Sequence, residues 1–242
     1  VVRPSDRVVV KPNIGWDRTV EQAANTHPQV VSRIIEHCLD AGAQRVLIFD
    51  RTCNEERMCY NRSGIRDAVR AIKDKRVKLE YADERKFVPV VIKNGLRLKE
   101  WSFYRDALEA DAYINVPVAK HHGSSGLSIG LKNIMGAIGG WRGRLHVGLS
   151  QKIADLNHVI RPALTIADAT RVIVRNGPQG GDLEDVRVLD TVMASTDTVA
   201  VDAYATTLFG LNPDEIGSTV AAYKLGLGQM DLDKCRIREL AA

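Results

Sequence analysis

The sequence predicts an α/β fold: a mostly parallel β-sheet with helices on both faces and one hairpin excursion. Residues 7–11 and 45–49 (RVVVK and RVLIF) are short apolar runs without alternation, as strands buried on both faces are. Between them Val30, Val31, Ile34, Ile35, Cys38 and Leu39 recur at helical spacing, and Gly42 stops the pattern. A strand, a helix and a second strand joined by short connections make a βαβ unit, which requires parallel pairing. Almost every predicted strand also ends on a polar or charged residue, as the strands of a sheet with a functional carboxyl edge do.

Taken in order, the first strand ends at Pro12-Asn13, and residues 14–27 form a loop leading to Pro28. The 45–49 strand exits at Asp50, Arg51, Thr52 and Cys53. Ser63 is placed to cap a helix through about Ile72, and residues 77–81 read as a third strand. Residues 87–92 and 96–98 flank Asn94-Gly95, which predicts a hairpin with a type I′ turn; a helix is predicted over 101–108. Residues 112–116 (AYINV) are a further strand opening onto Pro117. A helix over 150–160 precedes a strand over 163–167 that exits at Asp168. Residues 172–174 and 191–194 flank a turn-rich stretch. Asp197 caps an alanine-rich helix ending at Phe209-Gly210, and Pro213-Asp214 begins a last helical segment. No linker or repeat interrupts the chain, so residues 1–242 read as one domain.

Composition narrows the function classes. With 45% hydrophobic and 26% charged residues, the chain can bury a full core. A net charge of +4 with only 5% aromatics gives neither the broad basic face nor the stacking platform that nucleic-acid binding uses. No apolar run approaches a membrane-spanning length. The chain opens on Val1 without a methionine, which predicts that something precedes it and leaves localisation open between cytoplasm and export. There is no P-loop, no nucleophile elbow and no strand-borne GxGxxG, so the common nucleotide and hydrolase readings lack support.

The unusual chemistry lies between Asp111 and Asp155, where there is no carboxylate at all. That window holds Lys120, Lys132, Arg142, Arg144 and Lys152, with His121, His122 and His146 and a recurrence of glycine. Uniformly positive charge repels itself unless it meets an anion, and glycine lets backbone N–H groups close on one. Apolar residues at Leu127, Ile129, Leu131, Ile134 and Ile138 argue against a solvated loop. The window is therefore expected to form one wall of a crevice at the carboxyl ends of the strands, where open α/β sheets bind ligands. Its other walls are the strand exits: Lys11 and Asn13, then Asp50, Arg51 and Cys53, then Asn115, Asp168 and Asp197.

Lys120, Lys132, Asn133 and either Arg142 or Arg144 are the expected anion ligands, together with Lys11 and Asn13. His121 or His146 would move protons, with Asp50 and Asp168 orienting them or holding a cation. A divalent metal on the histidines would need distant partners such as Asp50, Cys53 or Asp168, because no HxH or HExxH spacing is present. Cys53 and Cys59 lie in a βα loop and leave three readings open: a redox pair, iron–sulfur ligation, or no role. Cys38, on a helix face, is a poor third ligand. A non-catalytic anion-binding module is the remaining alternative to an enzyme.

Several motifs occur together in a fixed order: KPN at 11–13, AANTHPQVV, LDAGAQRVLIFD, INVPVAKHHG, LSIGLKNIMG, DATRV, NGPQGG and STDTVAVDAYA. In this combination the chain resembles the DUF362 family, a domain of unknown function, from about Val8 to Gly210. The resemblance falls on Lys11, Asn13, Asp50, Lys120 and His121. It continues through Lys132, Asn133, Gly136, His146 and Asp168, and ends on Gly177, Pro178, Asp197 and Asp202. Many members carry twin-arginine export signals and a C-terminal ferredoxin-type cluster module. No CxxCxxC run is present here, so the resemblance implies that any electron transfer would use a separate ferredoxin-like partner. From pattern alone Asp202 reads as an exposed helix residue.

Overall fold

The computed structural model describes residues 1–240. The chain begins with β1 (Arg7–Pro12), then α1 (Pro28–Asp40), whose buried Val31, Ile34, Ile35 and Cys38 are the helical stripe read from the sequence. β2 (Arg45–Ile48), α2 (Glu56–Arg62), α3 (Ile65–Ala71) and β3 (Val77–Leu79) complete the first half. An antiparallel pair follows, β4 (Phe87–Val91) with β5 (Glu100–Tyr104), then the short α4 (Arg105–Leu108) and β6 (Ala112–Val116). The basic window contains the ribbon β7 (Lys120–His122) and β8 (Gly126–Ser128), the turn α5 (Gly130–Asn133) and α6 (Leu149–Leu156). The long hairpin β9 (Leu164–Ile173) and β10 (Val186–Ser195) precedes α7 (Thr198–Thr207) and α8 (Gly217–Lys224). Among the described residues no helix is long and apolar enough to cross a membrane.

Six strands form one sheet in the order β10-β9-β6-β1-β2-β3, parallel except for β10. Side-chain alternation divides its core. Val8, Val10, Val46, Ile48, Ala112 and Ile114 pack against α1 and α3, while Val9, Leu47 and Tyr113 pack on the other face against residues of α5, α6 and α8. The chain moves from β1 to β2 and β3 on one side, then crosses back to β6 and β9 on the other. Strand order therefore reverses between β1 and β6, where Lys11 pairs in register with Asn115. That reversal opens a crevice at the carboxyl edge.

Three local expectations need correction. The strand partner of β4 is β5 at 100–104, not 96–98, and the predicted 101–108 helix is reduced to α4. Asn94-Gly95 does not join the strands directly, because the 96–98 segment is held by α6 instead. Buried Asp155 accepts from the backbone N–H groups of Leu96, Arg97 and Leu98 at 3.0, 2.7 and 2.8 Å. The helix expected from Ser63 is α3: the Ser63 Oγ accepts from the Ile65 amide at 3.4 Å, with Gly64 in the left-handed region (φ 73°) at the helix start and Ile72 at its end. Asp168 is not at a strand end, because β9 runs on to Ile173 to pair with β10.

Burial raises the Asp155 pKa, but hydrogen bonds from Leu96, Gln151, Arg97 and Leu98 outweigh it, and the net shift is downward. A depressed carboxylate contributes stability above its unfolded pKa and loses it as pH falls through the folded one. Asp155→Ala should lower stability by about 2–4 kcal/mol, since it leaves three amide donors without their acceptor. A fall in the urea midpoint at unchanged slope would show this. An unchanged midpoint would mean that the 96–98 segment is not anchored by Asp155.

Candidate active site at the carboxyl edge

The strand ends at the reversal point are joined by one polar network. Lys11 Nζ lies 2.8 Å from Asp50 Oδ1, and both side chains are almost wholly buried. Lys11 also donates to Asn133 Oδ1 at 2.8 Å. Asn133 in turn donates through Nδ2 to the Lys11 carbonyl at 3.1 Å and to Asn115 Oδ1 at 2.9 Å. Asn13 Nδ2 reaches the same Asn133 Oδ1 at 3.3 Å. Asp50 accepts from the Ile14 amide at 2.6 Å. Burial pushes the Lys11 ammonium pKa down, and the Asp50 carboxylate opposes that shift. Gly136 lies directly over this pair: a Cβ there would stand 1.6 Å from Asp50 Oδ1 and 2.5 Å from Lys11 Nζ, so no other residue fits.

Above the network is a cavity of about 590 Å³, within the range of small-molecule sites. Of the acids among the described residues, only Asp50 lines it, and Asp50 is already paired with Lys11. Arg51, also in the lining, pairs with Glu84 at 2.9 Å, but the three remaining cations have no carboxylate partner. Lys120, 1% exposed, donates to Asn13 Oδ1 at 2.9 Å and to the Ala24 carbonyl, both neutral acceptors. The Arg142 guanidinium is fixed by the carbonyls of Arg51, Met135 and Thr52 at 2.8, 3.1 and 2.6 Å. Lys132, half-buried on α5, has neither a carboxylate nor a hydrogen-bond acceptor among the described residues. Burial, and then the charge of Lys132, bring the Lys120 pKa down to about 7; burial with Arg142 nearby lowers that of Lys132 to about 8.

α5 brings Lys132 and Asn133 into place because its start is anchored from below. Asp202, buried on α7, accepts from the Gly130 and Leu131 amides at 2.7 and 3.0 Å. Burial outweighs those two bonds and raises the Asp202 pKa to about 7. A Cβ at Gly130 would lie 2.7 Å from Asp202 Oδ1, so the anchor needs glycine.

The expected site residues divide cleanly. The cavity is lined by Asn13, Asp50, Cys53, Lys120, Lys132, Asn133, Arg142 and His146, with Lys11 directly beneath. Four others lie elsewhere. His121 is on the opposite side of β7 and accepts through Nδ1 from the Gly177 amide at 3.1 Å. Asp168 binds the His27 amide at 2.7 Å and the Thr170 amide and hydroxyl at 2.9 and 2.7 Å. Arg144 is exposed and outside the lining, and its carbonyl accepts from Lys152 Nζ at 2.9 Å. Asp197 is a helix cap that also takes the Gln229 amide at 2.8 Å.

His122 lines the cavity where His121 does not. Strand alternation places residues 120 and 122 on one side, a signal that the repeated histidine obscures. Burial, then the charges of Lys132 and Lys120, hold the His122 pKa near 3, so the ring is neutral. Its Nδ1 accepts from the Ser124 amide at 3.2 Å, which leaves the proton on Nε2. Trp16, Trp141 and Ser128 also line the cavity and carry no sequence signal beyond residue type.

The cysteines do not fit a resident iron–sulfur cluster. Cys38 and Cys59 are buried, their thiol pKa values pushed up to about 11 chiefly by desolvation, while Cys53 is exposed. Among the described residues no three His, Cys, Asp or Glu side chains gather as a metal site would need.

The family described as DUF362, a domain of unknown function, matches residues 8–207. A thylakoid-associated protein of Synechocystis sp. is 27% identical over 234 residues, which are 93% of this chain and 70% of that protein. The lactate racemase apoprotein of Thermoanaerobacterium thermosaccharolyticum superposes with a TM-score of 0.50 at 13% identity, over 80% of this chain and 46% of that one. A Thermotoga maritima protein of known crystal structure gives 0.49 at 11% identity, over 92% and 55%. The chain thus spans about half the length of these two solved chains, and the likeness to the racemase concerns the fold alone. The family match covers most of the chain, from the first strand to the end of α7: this protein belongs to the DUF362 family.

Proposed function

We propose that this chain is an enzyme that binds a small anion, a carboxylate or a phosphate, in the cavity at the carboxyl ends of β1, β2 and β6. The observation that carries the reading is the charge imbalance: Lys120, Lys132 and Arg142 line a recess whose one acid is already paired with Lys11. Desolvated cations without counter-charges destabilise a fold, and a bound anion removes that penalty. The two lysines and Arg142 hold the ligand, and neutral His122 adds an N–H donor. Lys120, titrating near neutrality, suits proton transfer, as does His146 at the cavity wall. The racemase named above acts on lactate, itself a small carboxylate, but at that identity the resemblance adds nothing to the case.

Sulfate, orthophosphate and oxalate, tested against chloride at equal ionic strength, are suitable probes. At about 100 times its dissociation constant an anion should stabilise the fold by about 2.7 kcal/mol, read as a rise of several degrees in Tm. Lys132→Met should abolish that rise without lowering the stability of the ligand-free protein. Lys11→Met should cost about 3–5 kcal/mol, because it leaves Asp50 buried and unpaired. An anion-induced rise that persists in Lys132→Met would remove Lys132 from the site.

The lowered lysine values also fix two opposite pH dependences. Between folded values near 7 and 8 and the ordinary 10.5, the unfolded chain holds more protons, so these lysines make stability rise with pH across that window. Over the same window they lose the charge that holds the ligand. Sulfate, which does not titrate here, should stabilise most near about pH 6 and progressively less toward about pH 9. A sulfate effect independent of pH would contradict the assignment of both lysines.

A further inference from the structure

Cys53 is the one cysteine that lines the cavity, and neither anion binding nor the buried network uses it. Its position is fixed: the Cys53 amide donates to the Gly15 carbonyl at 2.8 Å, and the neighbouring Arg51 amide donates to the Gly136 carbonyl at 3.0 Å. Its Sγ lies 3.8 Å from Arg142 Nη2, on a guanidinium already held by three carbonyls. An exposed thiol alone implies little. Here it shares a recess with two lysines that have no carboxylate partner, so an anion drawn in by those charges arrives beside the sulfur. The partly open position gives such a molecule access to the sulfur.

We propose that Cys53 is the reactive thiol of this cavity, presented to small carboxylate- or phosphate-bearing molecules that carry an electrophilic carbon. The proposal rests on the anion-binding reading of the site. In the step it makes, a Cys53 Sγ–C bond forms while that carbon's bond to its leaving group breaks. The leaving group departs with the bonding pair, and the thiol proton passes to water at the cavity mouth. Cys38 and Cys59, buried and outside the recess, take no part.

The charge of the electrophile supplies the test. Iodoacetate and iodoacetamide alkylate the same thiolate with the same leaving group and differ only in the carboxylate. The ratio of their rates at one cysteine therefore cancels that thiol's own reactivity and reports the field around it. Rates at each cysteine of the folded chain would be read by peptide mass spectrometry, with free mercaptoethanol as the neutral reference.

The iodoacetate-to-iodoacetamide ratio at Cys53 should exceed the reference by at least about tenfold, the lower end of what a cleft of one charge sign achieves. Lys132→Met should bring it down toward the reference, and sulfate should protect Cys53 from both reagents. A ratio at or below that of mercaptoethanol, or one unchanged in Lys132→Met, would overturn the proposal. Sulfate that still raises Tm while Cys53 shows no preference would leave the anion site standing and remove Cys53 from it. Loss of both effects would remove the two together.

Discussion

The buried contact between Lys11 and Asp50 governs this structure. It joins the ends of the neighbouring parallel strands β1 and β2, beside the point between β1 and β6 where the strand order reverses, and Asn133 locks it to α5. Because Asp50 is committed to Lys11, it does not neutralise the cations on the opposite wall. The contact also sets the local sequence. Gly136 has to lack a side chain because the ion pair occupies the space a Cβ would take. Desolvation makes such a pair a poor source of net stability, yet removing either member leaves an uncompensated buried charge. Its value lies in fixing where the strand ends, α5 and the cavity floor stand relative to one another.

A second consequence concerns the cost of the cavity. A fold optimised for stability alone would not desolvate two lysines with no carboxylate between them. Proteins accept such local penalties where function needs them, with the compensation coming from the surrounding core. Here that core is substantial: both faces of the central strands are covered, and Asp202 and Asp155 tie the α5 and 96–98 segments down with charge-assisted hydrogen bonds. The lysines are also the residues whose protonation burial can move toward neutrality, which arginine resists. Arg142 is held by carbonyls; Lys120 and Lys132 are the titratable part of the wall.

Much of this was legible in the sequence, for reasons that also explain what was not. Unalternating apolar runs marked β1, β2 and β6, because strands covered on both faces tolerate little else. The acid-free window marked the basic wall, because charge of one sign over that length is uncommon without a partner. The misreadings arose where long-range partners override local pattern. Asn94-Gly95 resembles a tight hairpin, but Asp155, 57 residues further on from Leu98, holds the next segment away from β4. Asp168 reads as a strand end until β10 extends the pairing of β9 past it. Asp202 reads as exposed because its partners, two backbone amides on α5, leave no side-chain signature. His121 and His122 are told apart only by which side of a three-residue strand faces the cavity.

The central claim is that the wall formed by Lys120 and Lys132 exists to receive a negatively charged molecule. Crystals grown with selenate, measured at the selenium absorption edge, locate such a molecule directly. The account predicts an anomalous peak inside the cavity within hydrogen-bonding distance of both lysine ammonium groups. Selenate ordered only on the outer surface, with solvent alone between the two lysines, would contradict it.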